Sequence, residues 1–202
     1  MSLRNLILAG IGVTVGLALV AAVVLARPYT YRGSLIEPAV PAADFTLTSG
    51  SGEPFRLGDQ RGKVVLLFFG YTTCPDVCPA TLGEMKNVVT RLGKQAEDVQ
   101  VVFVTVDPQR DTPEKIGQYA AAFDPTFVGL SGSEAELAPV WASYGVYRAI
   151  ADTTSAAGYL VDHTARTYLV DPAGNLRLTY TFGTPVDEIL SDVRYILKHK
   201  DE

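Results

Sequence analysis

An α/β domain on a mixed sheet is the fold this sequence predicts, and three observations predict it. Two apolar runs, Val64–Phe69 and Val99–Val106, have the continuous hydrophobicity of strands buried on both faces, and each leads toward a helix-period segment. Two further runs, Thr167–Val170 and Leu176–Tyr180, flank Asp171-Pro172-Ala173-Gly174-Asn175, the residues of a tight antiparallel turn. A last amphipathic stretch, Pro185–Leu197, closes the chain as a helix. Alternating strands and helices followed by a hairpin and a final helix give helices packed on a mixed central sheet.

The elements follow in chain order. Residues 1–5 form a short tail. Leu6 to Ala26 is an apolar run of 21 residues between Arg4 and Arg27, close to the roughly 20 that cross a bilayer core as a helix. It is longer than the roughly 7–15 residues of a signal-peptide core, so a transmembrane anchor over 6–26 is favoured over a cleaved signal. Arginines flank both ends, so charge does not orient it, but the short leading tail places the remainder on the extracytoplasmic side. Residues 27–41 carry three prolines and no helical period, the pattern of a linker. The globular domain then spans 42–200.

Phe45–Thr48 and Phe55–Leu57 flank Ser49-Gly50-Ser51-Gly52 and predict a small N-terminal hairpin. After the first buried strand, Leu82, Met85, Val88, Val89 and Leu92 recur at helical spacing and meet Gly93, a helix stop. Thr112-Pro113 opens another helix with Thr as cap and Pro at the first position. Ser133 to Tyr144 fits a third, ended by Gly145, with Trp141 read as core, and Thr184 is the candidate cap of the last. The layout is similar to that of thioredoxin with an added N-terminal β-hairpin, preceded by one transmembrane helix.

Net charge is −5, and Lys and Arg form no cluster. A nucleic-acid surface needs such a cluster to neutralise phosphates, so nucleic-acid binding is excluded.

Chemistry concentrates in one loop. The two cysteines of the chain are Cys74 and Cys78, in Gly70-Tyr71-Thr72-Thr73-Cys74-Pro75-Asp76-Val77-Cys78-Pro79. A strand-to-helix junction favours thiolates, because unpaired backbone N–H groups and the positive end of the helix dipole face them. The spacing, one residue wider than that of Cys-x-x-Cys oxidoreductases, permits a disulfide when oxidised or joint binding of one soft metal when reduced. A purely structural disulfide is disfavoured, since so short a closed loop adds little stability.

Two histidines are available as a third ligand. His199 sits between Lys198 and Lys200 in a polar tail and reads as solvated. His163, in Asp162-His163-Thr164, precedes the hairpin strand, beside the cysteine loop in a thioredoxin-like domain. Thiolates favour Cu(I) and imidazole also accepts Cu(II), whereas structural zinc usually takes four protein ligands. Spacing alone does not choose between the metals. Thioredoxin-like oxidoreductases generally carry a cis-proline before that strand; Thr164-Ala165-Arg166 has none.

Three segments together, Gly70–Pro79, Val104-Thr105-Val106-Asp107-Pro108-Gln109-Arg110-Asp111-Thr112-Pro113 and Asp162-His163-Thr164, resemble the Sco/SenC family of copper-binding proteins used to assemble cytochrome c oxidase. The resemblance implies one copper per chain held by Cys74, Cys78 and His163. It implies a membrane-anchored metallochaperone rather than an enzyme, which takes copper from a donor chaperone and serves the CuA centre of oxidase subunit II. The alternative is a thiol–disulfide oxidoreductase that reduces the cysteines of that centre, with Cys74 and Cys78 as the redox pair. Asp107, Arg110 and Asp111 have two readings: support of the metal loop or partner, or a helix cap (Asp111, Thr112) with a local ion pair. Asp76 is either a turn residue or a charge acting on the thiolates. Tyr71 and Tyr159 are shields for the copper or simple packing.

Overall fold

The computed structural model describes residues 4–5, 12–17, 20, 28–155 and 158–200. It divides into two compact units, Met1–Tyr31 and Arg32–Glu202. In the first, residues 12–17 are helical. The transmembrane helix expected over 6–26 is corrected: among the described residues no helix is long and apolar enough to cross a membrane. The rest of 6–26, apart from residue 20, lies outside the described residues.

The second unit is the mixed α/β domain. Its strands are β1 (Ser34–Pro41), β2 (Thr46–Ser49), β3 (Pro54–Arg56), β4 (Val64–Gly70), β5 (Val99–Thr105), β6 (Val128–Ser131), β7 (Arg148–Ser155), β8 (Gly158–His163), β9 (Arg166–Val170) and β10 (Asn175–Thr181). Its helices are α1 (Val77–Leu92), α2 (Pro113–Phe123), α3 (Glu134–Ser143) and α4 (Val186–Lys198). Among the described residues, eight strands form one sheet in the order β1-β10-β9-β4-β5-β6-β2-β3, and β7 pairs with β8 in a second, two-stranded one. β4, β5 and β6 run parallel; the other pairings are antiparallel.

All seven residues of β4 are buried, as continuous hydrophobicity requires of a central parallel strand. α1 buries Leu82, Met85, Val88, Val89 and Leu92 and stops at Gly93, whose φ of 60° suits glycine. It packs on α4, and α2 packs on β6. The predicted hairpin is β2–β3. Thr112 caps α2 by accepting from Lys115 N at 3.3 Å, and Ser133 forms a capping box with Glu136 on α3. Thr184 does not cap α4. Its hydroxyl bonds Thr181 O, and Pro185 holds the cap position.

Residues 34–41, read from sequence as linker, form β1, an edge strand on β10. Its start is anchored by Asp192, which is fully buried and accepts from Arg32 N (3.0 Å), Gly33 N (2.9 Å) and the Tyr180 hydroxyl (3.1 Å). A domain cut at Ala42 would lose this strand and the two backbone N–H donors to the buried carboxylate, so the folded unit starts near Arg32.

Candidate metal centre

Gly70 ends β4 and hands the chain to the loop that carries Cys74, and Asp76 caps α1 through its backbone. Cys78 is therefore the second residue of α1, and Pro79 the third, still within the first turn. Proline is tolerated there because those N–H groups have no intrahelical partner. Cys78 is fully buried and Cys74 half-buried, and both are free thiols.

His163 arrives at the end of β8. The ligating atoms of Cys74, Cys78 and His163 all lie within 4.8 Å of one another. His163 Nε2 is 3.5 Å from Cys78 Sγ. Its Nδ1 lies 3.2 Å from Thr164 O, an atom that only accepts, so Nδ1 donates there while Nε2 faces the sulfurs. Tyr71 and Phe68 flank the imidazole edge-to-face, with centroids at 5.7 and 6.2 Å. His199 is elsewhere, bonded to Tyr195 O.

The two sulfurs are electrostatically unlike. Cys74 is pulled down to about 3, chiefly by the hydrogen bond it accepts from Cys78, against burial, with help from His163 and the N–H groups of Asp76 and Cys78. Cys78 is raised, first as the donor in that bond and then by burial. One proton is thus shared by the pair and would leave when a metal takes both sulfurs. Burial, foremost, holds Tyr71 as a neutral phenol.

Close packing sets Cys78. A Cβ placed on Gly70 would lie 2.6 Å from Cys78 Sγ and 2.7 Å from Phe103. Gly70→Ala is therefore expected to destabilise the protein by about 1–3 kcal/mol through overpacking. Urea unfolding checks it, and an unchanged midpoint would show that the strand yields to make room.

The middle motif lies beside the site. Asp111 is fully buried and accepts from Thr72 N (3.0 Å), Thr72 Oγ1 (2.5 Å) and Thr105 Oγ1 (2.9 Å). It supports the cysteine loop rather than capping α2. Asp107, also fully buried, pairs with Arg110 and accepts from the Tyr159 hydroxyl at 2.8 Å. Asp76 is exposed, and its side chain makes no capping bond. Thr72 and Thr105, which sequence reading did not single out, belong to this support; their hydroxyls flanking the motif were the available signal.

The SCO1/SenC family model matches residues 34–198. The mitochondrial SCO2 homolog of Bos taurus is 36% identical over 196 residues, 95% of this chain and 74% of that protein. The solved structure of Bradyrhizobium japonicum ScoI with copper bound is 40% identical, with a TM-score of 0.71, and the match covers 79% of this chain and 100% of that one. BsSco, a member of the Sco family of cytochrome c oxidase assembly proteins in which a disulfide switch was identified, is 27% identical, with a TM-score of 0.63, over 81% of this chain and 98% of its own. With the family model spanning the sheet, the cysteine loop and His163 alike, the chain belongs to the SCO1/SenC family.

Proposed function

We propose that this protein binds one copper ion through Cys74, Cys78 and His163 and serves in the assembly of cytochrome c oxidase. The observation that carries the reading is the convergence of two sulfurs and an imidazole nitrogen within 4.8 Å. That donor set suits Cu(I), and the imidazole accommodates Cu(II) as well. The similar ScoI holds copper, and BsSco belongs to a family of oxidase assembly proteins. In finer detail, the protein receives copper from a donor chaperone and passes it to the CuA centre of subunit II, on the extracytoplasmic side.

The same loop suits a second role. Cys74 is partly exposed and held as a thiolate with Cys78 buried behind it, the arrangement of an attacking and a resolving thiol. In that role the pair reduces the cysteines of the CuA site and itself becomes a disulfide.

Anaerobic Cu(I) titration of the full chain against a competing chelator tests the main reading. One equivalent is expected to bind tightly, and His163→Ala is expected to weaken binding at least tenfold. Unchanged affinity in His163→Ala would remove the three-ligand site. Reduction of an oxidised CuA-site peptide by the metal-free protein, lost in Cys74→Ser and kept in His163→Ala, would favour the second role.

A further inference from the structure

Taking Cys74, Cys78 and His163 as the ligand set proposed above, we infer that Asp107, Arg110 and Tyr159 form a latch that positions His163 against the cysteines. His163 is carried by β7–β8, a two-stranded ribbon that joins no other strand among the described residues. Such a ribbon is marginal by itself, so its placement depends on tethers to the domain body.

Alternation along β8 turns Tyr159, Val161 and His163 to one face. Val161 is buried, and His163 meets Cys78 on that face. Tyr159 stacks on the Arg110 guanidinium, 3.7 Å from its ring centroid, and donates its hydroxyl to Asp107. Arg110 Nη1 donates to Tyr159 O at 2.8 Å, while its Nε is held by Asp107. Burial, foremost, raises Tyr159 and keeps its hydroxyl a donor.

The latch continues to the imidazole. Arg110 also lies 5.7 Å from the Tyr71 ring, and Tyr71 both packs on His163 and accepts from Val161 N at 3.2 Å. Asp107 is fixed in turn, because its N–H donates to Thr105 Oγ1 at 2.8 Å. A buried carboxylate, a stacked cation and two tyrosines therefore connect the end of β5 to the strand that presents the third ligand. These are positioning residues; none of the latch side chains supplies a ligand atom to the cluster.

The test is a double-mutant cycle on the full chain with Cu(I) as the probe. Arg110→Ala is expected to weaken copper binding about 10–100-fold, and to add nothing in a His163→Ala background. In the Cu(II) form, Arg110→Ala is expected to reduce the nitrogen hyperfine coupling from imidazole. In the metal-free protein it should speed amide exchange in β7–β8 while β4 and β5 keep their protection. Tyr159→Phe keeps the ring stack and loses the bond to Asp107, so it reads the same effects in smaller measure should Arg110→Ala fold poorly. Full affinity and unchanged nitrogen coupling in both variants would overturn the latch, as would losses that add in the double variant. If His163→Ala alone leaves affinity intact, the ligand set fails and the latch fails with it, a result separable from loss at His163 but not at Arg110.

Discussion

Cys78→Ser is expected to abolish tight copper binding, with an affinity loss above about a hundredfold. Substitutions around a metal site, outside its ligands, already cost 10–100-fold, and here a soft thiolate is exchanged for a hard hydroxyl that stays protonated at neutral pH. The competing explanation is damage to the fold. Cys78 is fully buried and close-packed against Gly70, so a serine there loses the packing of the larger sulfur at about 1 kcal/mol. Two controls separate the effects. Cys74→Ser changes a half-buried residue and should lose copper with little loss of stability. Cys78→Ala removes the sulfur without adding a polar group. It should also move Cys74 upward from about 3, because the hydrogen bond that chiefly favours the thiolate is gone. The sign follows from which form the bond stabilises: without the donor, the proton leaves Cys74 only at higher pH. Alkylation of Cys74 against pH checks this, and copper affinity by chelator competition checks the main effect. Retention of tight binding by Cys78→Ser, with apo stability intact, would leave Cys78 outside the metal site.

Which features could be read from the chain depends on the range of the forces behind them. β4 and β5 were legible because full burial writes itself as continuous hydrophobicity, and α1 because its buried side chains recur at helical spacing. β1 was not. Pro38 and Pro41 and a mostly exposed pattern gave no apolar face, and an edge strand needs none to pair along one side. The β7–β8 ribbon carried no such signal, because β8 leaves the main sheet and buries Val161 alone, too little to enforce a visible alternation. The candidate ligands were findable because so few cysteines and histidines exist to choose from. Asp107, Arg110 and Asp111 stood out as candidate supports, but not what they hold, because Thr72 and Asp111 meet across 39 positions, and Arg110 and Tyr159 across 49.

Asp111→Ala is the second large effect expected, and it acts on stability and site together. The Asp111 carboxylate is fully buried and receives the Thr72 N–H, the Thr72 hydroxyl and the Thr105 hydroxyl. Lys115 adds a contact at 3.5 Å, but its side chain is 44% exposed, so solvent screens most of that pairing. The hydrogen bonds to the charge carry the effect. Truncation removes all of them and leaves the Thr72 N–H and two hydroxyls facing an apolar void. A loss of about 3 kcal/mol follows from orphaned buried donors, equivalent to roughly 6–12 °C in Tm for a domain of this size. Thr72 lies two residues before Cys74, so freeing it also loosens the cysteine loop, and copper affinity should fall about 10–100-fold. Asp111→Asn keeps one carbonyl oxygen for Thr72 N and Thr105, and the Thr72 hydroxyl can turn to accept from the new amide. It should therefore retain most of the stability. Thermal unfolding of the metal-free protein, with Cu(I) competition on the same samples, distinguishes the cases. If Asp111→Ala melts with the wild type, these bonds do not hold the loop; if Asp111→Asn melts as low as Asp111→Ala, the charge rather than the bonding pattern holds it.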